Sequence, residues 1–94
     1  GSLLLAQANL LNDMPATTHW GALDMMRNKF PQVTVIDDQH VVEYGRILTS
    51  AGISAGIDMA LQVVARHHGE PTARYTARQM EYPYPDSNHR RVKI

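Results

Sequence analysis

Ala16-Thr17-Thr18-His19-Trp20 and Ile47-Leu48-Thr49-Ser50-Ala51-Gly52-Ile53-Ser54-Ala55-Gly56-Ile57-Asp58 are the two stretches on which the fold turns. Each reads as a short strand running into a helix. Ala16 to Thr18 is the strand of the first, and Thr18 is placed to cap a helix whose apolar positions are Leu23, Met26 and Phe30. In the second, Ser50 to Gly52 makes a tight junction before a helix with Ile53, Ile57, Ala60, Leu61 and Val64 on one face and Val63 beside them. Open α/β sheets hold ligands at such strand-to-helix boundaries, which makes His19 the leading candidate for chemistry.

Upstream, Leu3, Leu4, Ala6, Ala8, Leu10 and Leu11 predict a mostly buried helix over 2–11, because Leu and Ala favour helix and β-branched residues are absent. Gly1-Ser2 fit a native helix start or a remnant of a tag. Asn12-Asp13 and Pro15 break the pattern. Pro31 ends the next helix, Val33 to Ile36 is β-prone, and Asp37-Asp38 turns the chain. His40 to Glu43 and Arg46 to Thr49 predict a hairpin about Tyr44-Gly45.

Downstream, Gly69 suits a left-handed C-cap, and Glu70-Pro71 restarts a helix that runs to about Met80, with Ala73, Tyr75, Thr76 and Met80 near one side. Residues 81–94, with Pro83 and Pro85, predict an extended tail packing over the domain. With no repeat and no interdomain linker, residues 1–94 read as one unit of an α/β layered fold. Parallel α/β sheets bury both faces, and three or four short strands leave a face and an edge bare. The expectation is half of a fold that needs a companion segment or chain, and that is insoluble or self-associated without one.

Composition narrows the function classes. The hydrophobic fraction is 44%, so a packed domain is expected and disorder is not. Nine Lys and Arg balance nine Asp and Glu. A nucleic-acid binder gathers basic excess on one face, and the only basic cluster here, His89-Arg90-Arg91 with Lys93, reads as a solvated tail. The sequence has no cysteine and hence no disulfide framework. Leu3-Leu4-Leu5 lacks the basic approach of a signal peptide, and no stretch reaches the roughly 18 apolar residues of a membrane span. The expected setting is cytoplasmic.

The motifs Ala16-Thr17-Thr18-His19-Trp20 and Thr49-Ser50-Ala51-Gly52-Ile53-Ser54-Ala55-Gly56-Ile57-Asp58, with the continuation Tyr75-Thr76-Ala77-Arg78-Gln79-Met80-Glu81-Tyr82, resemble the C-terminal half of a DJ-1/PfpI (ThiJ) domain, and the resemblance covers nearly the whole chain. It implies a flavodoxin-like three-layer α/β sandwich. In that family a reactive cysteine sits on a strand-to-helix turn before a Leu-rich helix, so Gly1-Ser2-Leu3-Leu4-Leu5 would begin two residues after the nucleophile. The histidine of the family's Thr-Thr-His run lies close to that cysteine, a place that His19 matches. An imidazole there can hold a thiol as thiolate or relay a proton. Gly1 and Ser2 would line the nucleophile elbow, and backbone N–H groups near them would hold developing negative charge. Thr18, Ser50, Ala51 and Gly52 would form the ligand-binding rim.

DJ-1 proper has an arginine where Ala51 stands, which argues against an oxidation sensor. The Ser50-to-Asp58 form is nearer to isonitrile-hydratase-like single-domain proteins and to the sensor domains of AraC-type regulators. The expectation is therefore a cysteine-dependent hydratase-like enzyme, completed by the Cys-bearing N-terminal half, acting on a small molecule as a homodimer without metal or other cofactor. The alternatives are a non-enzymatic ligand-binding or regulatory domain and a structural fragment. The Met80-to-Ile94 tail reads as the natural end of a single-domain member.

Other candidates fall to plainer readings. His67-His68 suits a helix C-terminus and points two ways, a poor metal pair. His40 and His89 lack partners at ligand spacing. Asp24 and Asp58 read as surface helix positions paired with basic neighbours. Met14, Met25, Met26, Met59 and Met80 read as core filler.

Overall fold

Helix-favouring Leu and Ala start the chain in α1 (Ser2–Gln7), but the helix is shorter than its apolar run. Asn9 and Asp13 take positive φ, 63° and 60°, a conformation Asn and Asp tolerate better than other side chains. The turn between them drops Leu11, fully buried, into a core shared with Ala6, Ala16, Met26 and Val33. The computed structural model describes residues 1–92. Lys93 and Ile94, the last residues of the expected tail, lie outside the described residues.

β1 (Pro15–Ala16) pairs in parallel with β2 (Thr34–Val35), Pro15 opposite Thr34. Between them run a single 3-10 turn over Trp20–Ala22 and α2 (Leu23–Lys29), which buries Leu23 and Met26. The chain then forms the expected hairpin of β3 (Val41–Tyr44) and β4 (Ile47–Ser50), turning at Gly45 with φ 59°. The strands do not merge into one ladder. The Thr17 N–H donates to Thr49 Oγ1 at 3.0 Å, so a side chain stands where a backbone bond would have joined the two ribbons.

α3 (Ile53–His68) ends at Gly69, φ 91°, and α4 (Glu70–Gln79) starts with Pro71 in its first turn, both as the sequence predicts. Ala73 and Ala77 are buried, and their small size lets α4 lie close on α3. The Cα envelope is a slab of 40 × 28 × 17 Å. No described helix is long and apolar enough to cross a membrane.

Three expectations are corrected. The cap of the turn after β1 is His19, whose ring accepts the Gly21 N–H, while Thr18 is buried in the strand end. The inward face of α3 is Ala55, Asp58 and Leu61, and Ile53 is 94% exposed. Asp58 is thus a buried residue, and the tail that binds it is no solvated terminus.

Residues 88–91 lie antiparallel against 38–41. His40 N–H donates to the Asn88 carbonyl and Arg90 N–H to that of Asp38, both at 2.8 Å. The Asn88 amide closes the Val41 backbone on both sides. Beyond this edge, Asp58 Oδ1 accepts from the Tyr82 hydroxyl at 2.5 Å, and its Oδ2 from Arg91 at 2.8 Å and His40 Nδ1 at 3.3 Å. The Arg91 N–H donates to His40 Nε2, so a neutral His40 carries its proton on Nδ1, facing the carboxylate.

Burial alone would raise the Asp58 pKa. The bonds from Tyr82, Arg91 and His40 and the Arg91 charge outweigh it and hold the carboxyl below its ordinary value. A carboxyl whose folded pKa is depressed adds stability that is present above its unfolded pKa and lost as pH falls through the folded value. Asp58→Asn should therefore cost about 2 kcal/mol at neutral pH. Paired chemical denaturation curves should show this gap intact at pH 6 and closing below about pH 4. A gap independent of pH would refute the account.

Candidate functional site

The junctions after β1 and β4 meet at one cleft. β1 delivers Thr17 and Thr18, both buried, and then the exposed His19. β4 delivers Ser50, Ala51 and Gly52 immediately before α3. A cleft of about 580 Å³ is lined by Gly1, Ser2, Thr18, His19, Ser50, Ala51 and Gly52, with Leu5, Leu48, Ile53 and Met59 as apolar wall. Every site residue expected from the sequence borders this space. Thr49, also considered a donor to ligand, uses its hydroxyl on the Thr17 N–H.

The orientation of His19 follows from its position as a cap. Its Nδ1 accepts the Gly21 N–H at 3.1 Å, which leaves the proton of the neutral ring on Nε2. So held, His19 is a hydrogen-bond donor through Nε2. It suits stabilising a thiolate or a developing anion by hydrogen bonding, and it is not set up to take a proton at that atom. The ring sits between two glycines. A Cβ on Gly21 would meet Nδ1 at 3.4 Å, and one on Gly52 would meet Cδ2 at 3.4 Å. Trp20 flanks it, ring centroids 5.5 Å apart.

Arg90 was hidden in the sequence as part of a basic tail. Its Nη2 donates to Thr17 Oγ1 at 2.7 Å and to the Thr18 carbonyl at 3.2 Å, and its Nε to the Asp37 carbonyl at 2.8 Å. The tail therefore buttresses the strand end that carries His19. The other histidines stay apart from the main cleft. His40 serves the Asp58 network, and His67-His68 closes α3. Asp24 lies on the surface, bonded to Arg27, which also reaches Asp37.

This is an α/β unit with a cleft at the C-terminal ends of β1 and β4. No protein-family model matches the chain. Isonitrile hydratase of Pseudomonas putida is 40% identical over 83 residues, 87% of this chain and 35% of that protein. The HTH-type transcriptional regulator CdhR of Pseudomonas aeruginosa is 35% identical over 96 residues, all of this chain and 28% of the regulator. The regulator GbdR of the same species is 30% identical, again across all of this chain and 26% of its own length. The chain thus spans between about a quarter and a third of the curated relatives it matches. A crystal structure of a cysteine-to-alanine mutant of a DJ-1 superfamily protein from Salmonella typhimurium shares its fold, with TM-score 0.69 and 24% identity over 85% of this chain and 41% of that one. The chain thus has the fold of a DJ-1 superfamily protein, and its sequence resembles isonitrile hydratase and the two regulators.

Capping and chemistry at His19 are separable. Asparagine caps as well as any residue, whereas alanine gives up about 1 kcal/mol. His19→Asn should melt within a few tenths of a kcal/mol of the parent while abolishing any reactivity that uses the ring, and His19→Ala should lose both. Thermal melts beside a reactivity assay read this directly; equal destabilisation by the two variants would remove the capping role.

Proposed function

We propose that the chain is the histidine-bearing part of a cysteine-dependent hydratase resembling isonitrile hydratase, its thiolate supplied by residues outside this sequence and seated beside Gly1. The observation that carries the reading is the convergence of Gly1, Ser2, Thr18, His19, Ser50, Ala51 and Gly52 on one cleft, in a chain 40% identical to isonitrile hydratase over 83 residues.

In the reaction so proposed, the thiolate forms an S–C bond to the terminal carbon of the isonitrile, and that carbon takes a proton from water while the His19 Nε2–H steadies the negative charge by hydrogen bonding. The hydroxide left by that water adds to the same carbon, its remaining proton passes to nitrogen as the C=O bond forms, the C–S bond breaks, and sulfur leaves as thiolate. An isonitrile becomes a formamide, with no oxidation or reduction. Backbone N–H groups near Gly1 and Ser2 hold the negative charge that develops. The working molecule is a cytoplasmic homodimer in which the missing half covers α1 and the turn after it, where Leu4 and Leu10 stand exposed.

A second reading is a ligand sensor. It is favoured by the regulators, whose similarity runs across the whole of this chain. The same cleft would then bind a small molecule without turnover.

Thiol labelling of the complete polypeptide with iodoacetamide separates the two. The hydratase reading expects one fast-reacting cysteine at pH 7, slowed about tenfold or more by His19→Ala as the imidazole's support for the thiolate goes. It also expects formamide from a simple alkyl isonitrile. A slow thiol indifferent to His19, with no turnover, would replace the enzyme by the sensor.

A further inference from the structure

Behind His19 lies a second cleft of about 380 Å³, which shares His19, Ala51, Gly52 and Ile53 with the first and is otherwise walled by Trp20, His40, Ser54, Ala55, Arg90 and Val92. We propose that this cleft is a subsite for a small organic anion, a carboxylate with an apolar body, whose charged end sits on Arg90.

Three features point there. Among the described residues, Arg90 is the only permanently charged side chain lining either cleft, and no described Asp or Glu lines them. Its guanidinium is held in place before any ligand arrives, by Thr17 Oγ1, the Thr18 carbonyl and the Asp37 carbonyl. Those bonds engage Nε and Nη2, and Nη1 has no partner among the described residues. An arginine fixed in this way binds a carboxylate without first losing rotamer freedom. Finally, Trp20, Ile53 and Val92 leave large apolar surfaces bare around it, at 53%, 94% and 58% exposure. A charged anchor amid apolar walls selects a ligand with an anionic end and an apolar remainder.

The charge on Arg90 is also incompletely compensated. Burial lowers its pKa, and the nearby Asp37 and Asp38 only partly offset that loss of solvent. An anion would supply what the two aspartates do not.

The subsite adjoins the His19 cleft but needs no nucleophile. Binding can therefore be measured whether or not the hydratase reading holds, and its failure would leave the thiol assay untouched. Trp20 is the only tryptophan of the sequence and borders the subsite. Titrations of hexanoate, hexylamine and hexanol would be followed by fluorescence in the complete polypeptide, with Trp20→Phe as the blank. Saturable change with hexanoate, weaker by about tenfold or more with the amine and the alcohol, is the expected result. Arg90→Met should weaken hexanoate by about the same factor, and Arg90→Lys by less.

Arg90 also braces the strand ends, so Val92→Glu provides a variant that keeps this brace. It places a carboxylate on an exposed wall of the cleft and should likewise weaken hexanoate without lowering the melting temperature. Equal binding of the three probes, or hexanoate binding unaffected by Val92→Glu and by a folded Arg90 variant, would overturn the proposal.

Discussion

The carboxylate of Asp58 joins three segments that are far apart in the chain. It sits on the inward face of α3, 6% exposed, where an unpaired charge would be costly, and it is satisfied by Tyr82 and Arg91 of the tail and His40 of the β3 edge. The bond from the Arg91 backbone to His40 Nε2 closes the circuit. The consequence reaches the site. In an extended segment, successive side chains point to opposite sides. Arg91 turned toward α3 therefore leaves Arg90 turned toward the end of β1, where it grips Thr17 and Thr18. A one-residue slip of the tail would exchange the two arginines. Asp58 thus fixes, at one remove, the platform on which His19 stands.

Local chemistry made much of this fold legible. Gly45 at the hairpin turn and Gly69 at the end of α3 take a positive φ that glycine adopts without strain, and Pro71 stands in the first turn of α4, where its missing N–H costs no helical bond. The two strand-to-helix motifs read as rims of one cleft only through the family resemblance they carry, since β1 pairs with β2 and β4 with β3. What was not legible is a matter of distance along the chain. Arg90 meets Thr17 across 73 residues, and Arg91 meets Asp58 across 33. No periodicity encodes such pairs, and a basic cluster beside prolines has the composition of a solvated terminus. Asp58 was obscured for a related reason, since an apolar stripe places charge outside by default. Its burial follows from partners that arrive from elsewhere.

The misplaced face of α3 bears on the companion half proposed above. Ile53, expected in the core, stands 94% exposed at the mouth shared by both clefts. With Leu4 and Leu10 it leaves much apolar surface in a slab 17 Å thick along its shortest Cα dimension. Two layers of secondary structure fit that thickness; a sheet covered on both faces by helices does not. The bare residues lie near the first cleft and α1, so the companion half proposed above would, on covering them, also deepen the cleft. Burying Ile53 and forming the site are then one event.

His19 shows how far a single imidazole can decide between catalysis and sensing. Because Nδ1 is committed to Gly21, the neutral ring offers one donor at Nε2. A donor of that kind strengthens a thiolate, and it equally holds an oxygen of a bound ligand. The distinction between enzyme and sensor therefore cannot reside in His19 or in the rim of Thr18, Ser50, Ala51 and Gly52, which serve both. It resides in whether a sulfur faces Nε2 across the cleft. With a thiolate there, the charge that His19 stabilises is made by the protein and is ready to attack. Without one, the same donor waits for a charge brought by the ligand, and Arg90 behind it becomes the group that decides which ligand that is.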